Sequence, residues 1–237
     1  MESQVQTVLS VVGTRPEAIK MAPVVKELGR HKSQLRSILC STGQHREMLD
    51  QVFTLFQIKP DIDLSLMKPN QSLSSLTASA FTALDHVIAE TKPDWVLAQG
   101  DTTTAFVAAM VAFYHKVPFG HVEAGLRTGD KFRPFPEEIN RRIADLIADV
   151  YFAPTEKARQ ALLREGCRES DVYVTGNTVI DAVHEIAARE YDGGTSPLAG
   201  LPFNRRIVLI TAHRRESFGE PFRELCLAIR DLSLIHI

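Results

Sequence analysis

Short apolar runs alternate with longer segments of helical spacing along most of this chain, and that alternation limits the possible folds more tightly than composition does. Strand, helix, strand in regular succession is the pattern of a parallel sheet covered by helices on both faces. The runs predict strands near 7–12, 35–41, 94–99, 118–122, 149–153, 171–175 and 206–211. Between them, 16–29, 45–56, 72–90, 102–115, 136–148, 155–164 and 177–190 show helical spacing, several opened by Thr, Ser or Pro as start signals. The expected fold class is therefore α/β, a Rossmann-like doubly wound parallel sheet. Ligands of such sheets bind beyond the carboxyl ends of the strands, so the residues just after each strand are the first candidates for chemistry.

The Gly-, Pro- and Ser-rich stretch 192–203 reads as a linker between an N-terminal domain, 1–191, and a second domain beginning at 204. That second domain receives one strand and one helix, near 218–231, before the chain stops. Two elements cannot bury a core of their own, so the sequence is expected to be truncated. Over its 237 residues the chain is 44% hydrophobic and carries a formal charge of −2, enough apolar content for a core and too little positive charge for a dedicated nucleic-acid binder. Cys40, Cys167 and Cys226 are few and widely spaced, which predicts reduced thiols rather than a disulfide framework or a metal knuckle. With neither a secretory leader nor an apolar stretch long enough to cross a bilayer, the chain is expected to be cytoplasmic, without a membrane partner.

Four strand ends carry charged motifs. In GTRPEAIKMAP, residues 13–23, Thr14 can cap a helix and Pro16 suits its first turn. The free amides there, with Arg15 and Lys20 beside them, form either a phosphate or carboxylate pocket or an ordinary turn with solvated charges. Glu17, Ile19, Met21 and Ala22 are expected to hold that helix in place. GDTTT at 100–104 puts Asp101 after a strand, as a functional carboxylate or as the helix cap itself. HVEAGLRTGD at 121–130 and RPFPEEINRR at 133–142 add Glu123, Glu137 and Glu138, of which at least one of the last two should simply favour its helix N-terminus. Asp101, Glu123 and Glu137 are three acidic positions able to converge, as acid–base work requires. AHRRESFG at 212–219 offers His213 beside two arginines, a candidate anion ligand. Neither GxxxxGK[ST] nor GxGxxG is present.

These motifs, with QHREMLDQV at 44–52 and TGNTVID at 175–181, stand in an order that closely resembles the non-hydrolysing bacterial UDP-N-acetylglucosamine 2-epimerases, over nearly the whole chain. The resemblance implies two Rossmann-like domains facing across a cleft in a GT-B-like architecture, with the second domain incomplete here and the likeness ending near Leu232. It implies interconversion of UDP-GlcNAc and UDP-ManNAc without cofactor or metal, by elimination of UDP to 2-acetamidoglucal and re-addition. Asp101, Glu123 and Glu137 match the family's catalytic acidic residues, with the acid and base among them left open. Arg15, Lys20 and His213 match contacts to the nucleotide-sugar, where Asp101 and Glu123 also belong, and Gln44 and Glu47 match an allosteric UDP-GlcNAc site. A homodimer and a place in polysaccharide biosynthesis are implied as well. Little epimerase activity is expected of this chain alone. The alternatives are a GT-B-type glycosyltransferase and a non-catalytic nucleotide-sugar-binding fragment.

Overall fold

The structure, a computed structural model, describes residues 5–43, 46–68, 71–190, 198–202, 204–211 and 219–235. The chain divides into two compact units, Met1–Arg189 and Glu190–Ile237.

In the first unit, β1 (Gln6–Val12), β2 (Leu35–Ser41), β3 (Ile62–Asp63), β4 (Trp95–Gln99), β5 (Phe119–Val122), β6 (Val150–Ala153) and β7 (Val172–Val174) form one sheet in the order β3-β2-β1-β4-β5-β6-β7. Every pairing is parallel. The helices are α1 (Arg15–Arg30), α2 (Arg46–Phe56), α3 (Leu73–Thr91), α4 (Thr103–Tyr114), α5 (Glu137–Ile147), α6 (Glu156–Arg164) and α7 (Val179–Ala187). Strand order reverses between β1 and β4, which opens a crevice at their carboxyl ends. The two-residue β3 has no apolar run behind it and was not predictable from pattern; Asp61 holds it to β2 by accepting a bond from the Leu39 amide at 2.8 Å.

Side chains alternate across the sheet, so each strand supplies two cores. Leu9 and Val11 of β1, Ile38 and Cys40 of β2, and Val96 and Ala98 of β4 pack under α3, α4 and α5. Val8, Val12, Leu39 and Leu97 face the other way, against α1, α2 and Ala182 of α7. The Ala-rich α4 is buried almost all round and lies between α3 and α5. Small side chains there let the helices approach closely.

In the second unit the described residues contain one helix, α8 (Glu220–Ile235), where a helix is expected near 218–231. The strand expected at 206–211 is not formed: these residues carry no sheet pairing, and Val208 and Leu209 are largely exposed. A strand needs a neighbour to take its backbone bonds, and the described part of this unit provides none. Of the expected linker, only 198–202 falls within the described residues.

Candidate functional site

The turn after β1 begins at Gly13, where an added Cβ would lie 2.1 Å from the Thr104 hydroxyl oxygen and 2.5 Å from that of Thr42. Only glycine lets β1, β2 and α4 close up at this point. Thr14 is the N-cap of α1. Glu17, wholly buried, accepts hydrogen bonds from the backbone N–H groups of Gly13 at 2.8 Å and Thr14 at 2.6 Å, and from the Thr102 hydroxyl. One carboxylate thus ties the turn after β1 to the turn after β4, the anchoring role expected of it. Burial pushes its pKa up against these donors, which pull it down.

Arg15, in the first turn of α1, is exposed and makes no ion pair among the described residues. Lys20, a turn further on, points to Glu123, with its Nζ 2.6 Å from Oε2. Glu123 follows β5 with φ +68, a left-handed conformation that swings its side chain across the strand ends. Gln99, at the end of β4, donates to the same oxygen, while Asn177 Nδ2 donates to Oε1 at 2.6 Å. The Asn177 carbonyl oxygen accepts from the Val179 amide at 3.1 Å, which fixes the orientation of its amide. Every partner of the Glu123 carboxylate is a donor.

Asp101 is not the helix cap: Thr102 caps α4, its hydroxyl accepting from the Ala105 amide at 3.3 Å. Asp101 is free to pair with Arg141 of α5, and Asn140 donates to its backbone carbonyl at 3.0 Å. Arg141 also reaches Glu138, at 3.4 Å. Glu138 is buried and accepts from the amides of Thr128 and Gly129, so it shapes the loop between β5 and α5. Glu137 opens α5, half-buried, with no side-chain hydrogen bond or ion pair among the described residues. Four residues before Arg141, it lies on the helix face that meets Asp101.

Beneath this edge is a buried network that no local motif announces. His121 in β5 has Nδ1 2.6 Å from Asp145 Oδ1 and Nε2 2.7 Å from the Gly100 carbonyl oxygen. Asp145 also accepts from the Gly125 amide at 3.1 Å and pairs with Arg127 at 2.7 Å, and Arg127 forks onto Glu165 at 2.8 and 2.7 Å. Burial works against the charged form of His121, yet the Asp145 carboxylate, the Gly100 carbonyl and Asp101 together outweigh it and the pKa is raised. Burial likewise opposes ionisation of Asp145, and His121 and Arg127 outweigh it, so its pKa is lowered. Gln44 and His213 lie outside the described residues, and Glu47 falls in the first turn of α2. The structure thus brings Lys20, Glu123 and Asp101 to one sheet edge, with Glu137 on the neighbouring helix face. The sequence reading missed Gln99, Asn177, Arg141 and His121 as partners, although the last three lie inside motifs it quoted.

Fold and site define a Rossmann-type α/β domain whose strand ends pair carboxylates with cations at the topological switch point. A family model described as UDP-N-acetylglucosamine 2-epimerase matches residues 26–236, and the chain belongs to that family. The match runs past Leu232, where the likeness was expected to end. The chain is 49% identical over 223 residues to the UDP-N-acetylglucosamine 2-epimerase of Bacillus subtilis, covering 94% of this chain and 58% of that one. It is 48% identical over 235 residues to the Escherichia coli (strain K12) enzyme of the same name, covering 97% and 62%. Among solved structures, UDP-GlcNAc 2-epimerase from Neisseria meningitidis bound to UDP-GlcNAc superposes with a TM-score of 0.88 at 47% identity, covering 98% of this chain and 63% of that one. The chain therefore spans about 60% of the length of these relatives. The galactosyltransferase WaaB, at 14% identity and TM-score 0.52, shares the fold alone, and the glycosyltransferase reading is not favoured.

Proposed function

We propose that this chain supplies the proton-transfer side of a UDP-N-acetylglucosamine 2-epimerase site, acting on UDP-GlcNAc and UDP-ManNAc. The observation that carries the reading is the clamped Glu123, held by Lys20, Gln99 and Asn177 beside the Asp101–Arg141 pair at the switch point. Elimination of UDP across C1–C2 needs a carboxylate fixed near C2 to take a weakly acidic proton, and cations to hold the departing diphosphate. Asp101, Glu123 and Glu137 are the proposed acid–base set. In their hydrogen-bond roles Asp101 and Glu123 face donors, while Glu137 is uncommitted among the described residues. Arg15 and Lys20, at the amino end of α1, are the proposed diphosphate ligands, and His213, outside the described residues, is proposed as a further nucleotide-sugar ligand. Lys20 would then exchange part of its contact with Glu123 for the nucleotide.

The same proposal includes an effector site at Gln44 and Glu47, a cytoplasmic location and a linker at 192–203 leading into a second Rossmann-like domain. No helix among the described residues is long and apolar enough to cross a membrane. A homodimer is proposed on the strength of apolar side chains left in solvent at the end of α4 and on α5, Phe113, Tyr114 and Leu146. Sedimentation velocity decides it.

Incubating the chain with UDP-GlcNAc in D2O and following the C2 proton by NMR tests the chemistry. Slow deuterium incorporation at C2 is expected, lowered about 10²–10⁴-fold in Glu123→Gln and Asp101→Asn. Bound UDP-GlcNAc that keeps its C2 protium would overturn the acid–base reading. No binding at all by calorimetry would overturn the site.

A further inference from the structure

We infer that His121 is a positioning residue of this site: an imidazolium held between Asp145 and the Gly100 carbonyl, it fixes the turn that presents Asp101. The inference follows from counting donors and acceptors. A carbonyl oxygen can only accept, so the nitrogen 2.7 Å from Gly100 carries a proton. The other nitrogen faces Asp145 Oδ1 at 2.6 Å, and the second oxygen of that carboxylate already receives the Gly125 amide and Arg127. With the Gly125 amide and the Arg127 guanidinium on Oδ2, Asp145 is held ionised, so its Oδ1 can only accept and His121 Nδ1 is the donor. Both ring nitrogens donate, which only the charged ring can do.

The surroundings support that state. His121 has no exposed surface, and Tyr151 of β6 is its register partner in the sheet. Asp145 faces it from α5, the Asp101 carboxylate acts on it from the turn after β4, and Arg127 and Glu165 close the network behind Asp145. Counted together, His121, Arg127, Asp145 and Glu165 carry no net charge, which is how a buried cation is tolerated.

Gly100 is the pivot. It has φ +79, and a Cβ at that position would lie 3.9 Å from Glu123 Oε2, so its peptide sits between Glu123 and the Asp101 turn. Its N–H donates to the Val122 carbonyl at 2.9 Å, and its carbonyl has His121. Both backbone polar groups of Gly100 are thus pinned to β5. Removing the ring frees the carbonyl and lets the turn rotate. The consequence for catalysis rests on the reading of Asp101 as a working residue; the charge state and its hold on the turn do not.

NMR on the labelled 237-residue chain tests both claims. At about pH 8, where an unperturbed histidine is neutral, both His121 ring nitrogens are expected to remain protonated, assigned by the signals lost in His121→Gln. One bare ring nitrogen at that pH overturns the inference. In the same variant the Gly100 carbonyl and Asp101 amide resonances are expected to move, and unmoved resonances overturn the positioning role. Should His121→Gln not fold, the scalar coupling across the Nε2–H to Gly100 carbonyl bond in the unaltered chain decides instead, its presence supporting the role and its absence refuting it. None of these readouts uses nucleotide. Failed C2 exchange with a doubly protonated ring would count against the epimerase reading and leave this one standing.

Discussion

Val96-Leu97 in β4 and Val208-Leu209 in the second unit are the same dipeptide inside similar apolar runs, with opposite fates. In β4 the pair is buried, hydrogen-bonded through β1 on one side and β5 on the other. In the second unit it lies outside any sheet, with Leu209 91% exposed. Intrinsic β preference is therefore only an offer. The neighbours that accept the backbone bonds and cover the side chains decide whether it is taken up.

Truncating one leucine in each run should give the widest separation. Leu97→Ala is expected to cost about 2–5 kcal/mol, since it opens space between the sheet and α1. Leu209→Ala should stay within about 0.5 kcal/mol, because its side chain is already in water. Urea denaturation of both variants measures the gap, and equal losses would mean that 206–210 is covered in solution. A smaller effect is expected from adding a methyl group on the buried side. In Gly120→Ala the new Cβ would meet Leu97 Cδ2 at 2.6 Å, and a strain of about 1–3 kcal/mol is expected. Combining it with Leu97→Ala should recover part of that cost, a coupling read directly from a double-mutant cycle.

The same contrast explains what could be read from the sequence. In the first unit, strands with long apolar runs were legible within about one residue and helices within about three, because local pattern and tertiary context agree there. β3 escaped because two residues held by Asp61 leave no periodic trace, and 206–211 misled because its pattern is present without partners. In the candidate site, Asp101, Glu123 and Lys20 were legible as candidates from their places after strands and at a helix start. What holds them was harder to see. Asn177 meets Glu123 across 54 residues, Lys20 meets it across 103 and Arg141 reaches Asp101 across 40, so only the folded sheet brings them together.

A third prediction uses pH to probe the buried charges of the first unit. The His121 pKa is raised on folding, so its contribution to stability is fully present below the unfolded value near ~6.5 and is lost as pH rises through the folded value. Asp145 is lowered, so its contribution is present above the unfolded value and lost as pH falls through the folded one. Glu17, raised by burial, has the opposite sign on the acid side, with stability declining as pH rises from its ordinary value of 4.5 toward the folded one. Cys40 and Tyr151, both raised by burial, cost stability only above their ordinary values of 9.0 and 10.0, so the limb below pH 9.0 is the clean test for His121. Urea midpoints of the unaltered chain should fall on that limb, and those of His121→Gln should be lower at neutral pH and flatter above it. A parallel fall in both proteins would assign the alkaline loss to another group.

The smallest expected effect leaves stability untouched and probes the same contrast through thiol chemistry. Cys40 is buried in β2, and burial, with Asp63 nearby, pushes its thiol up to about 12. At pH 8 roughly one part in 10⁴ of such a thiol is thiolate, and the thiolate is the reactive form. Cys226 on α8 is exposed, so neither packing nor a closed sheet stands between it and reagent. With Ellman's reagent, Cys226 should react during mixing, whereas Cys40 should wait for opening of the first unit and speed up with urea in step with loss of its helical signal. Leu97→Ala should accelerate Cys40 and leave Cys226 unchanged, since opening of the first unit controls access to one thiol and has no bearing on the other. Equal rates for both thiols in the unaltered chain would mean that β2 opens far more readily than its place inside the sheet allows.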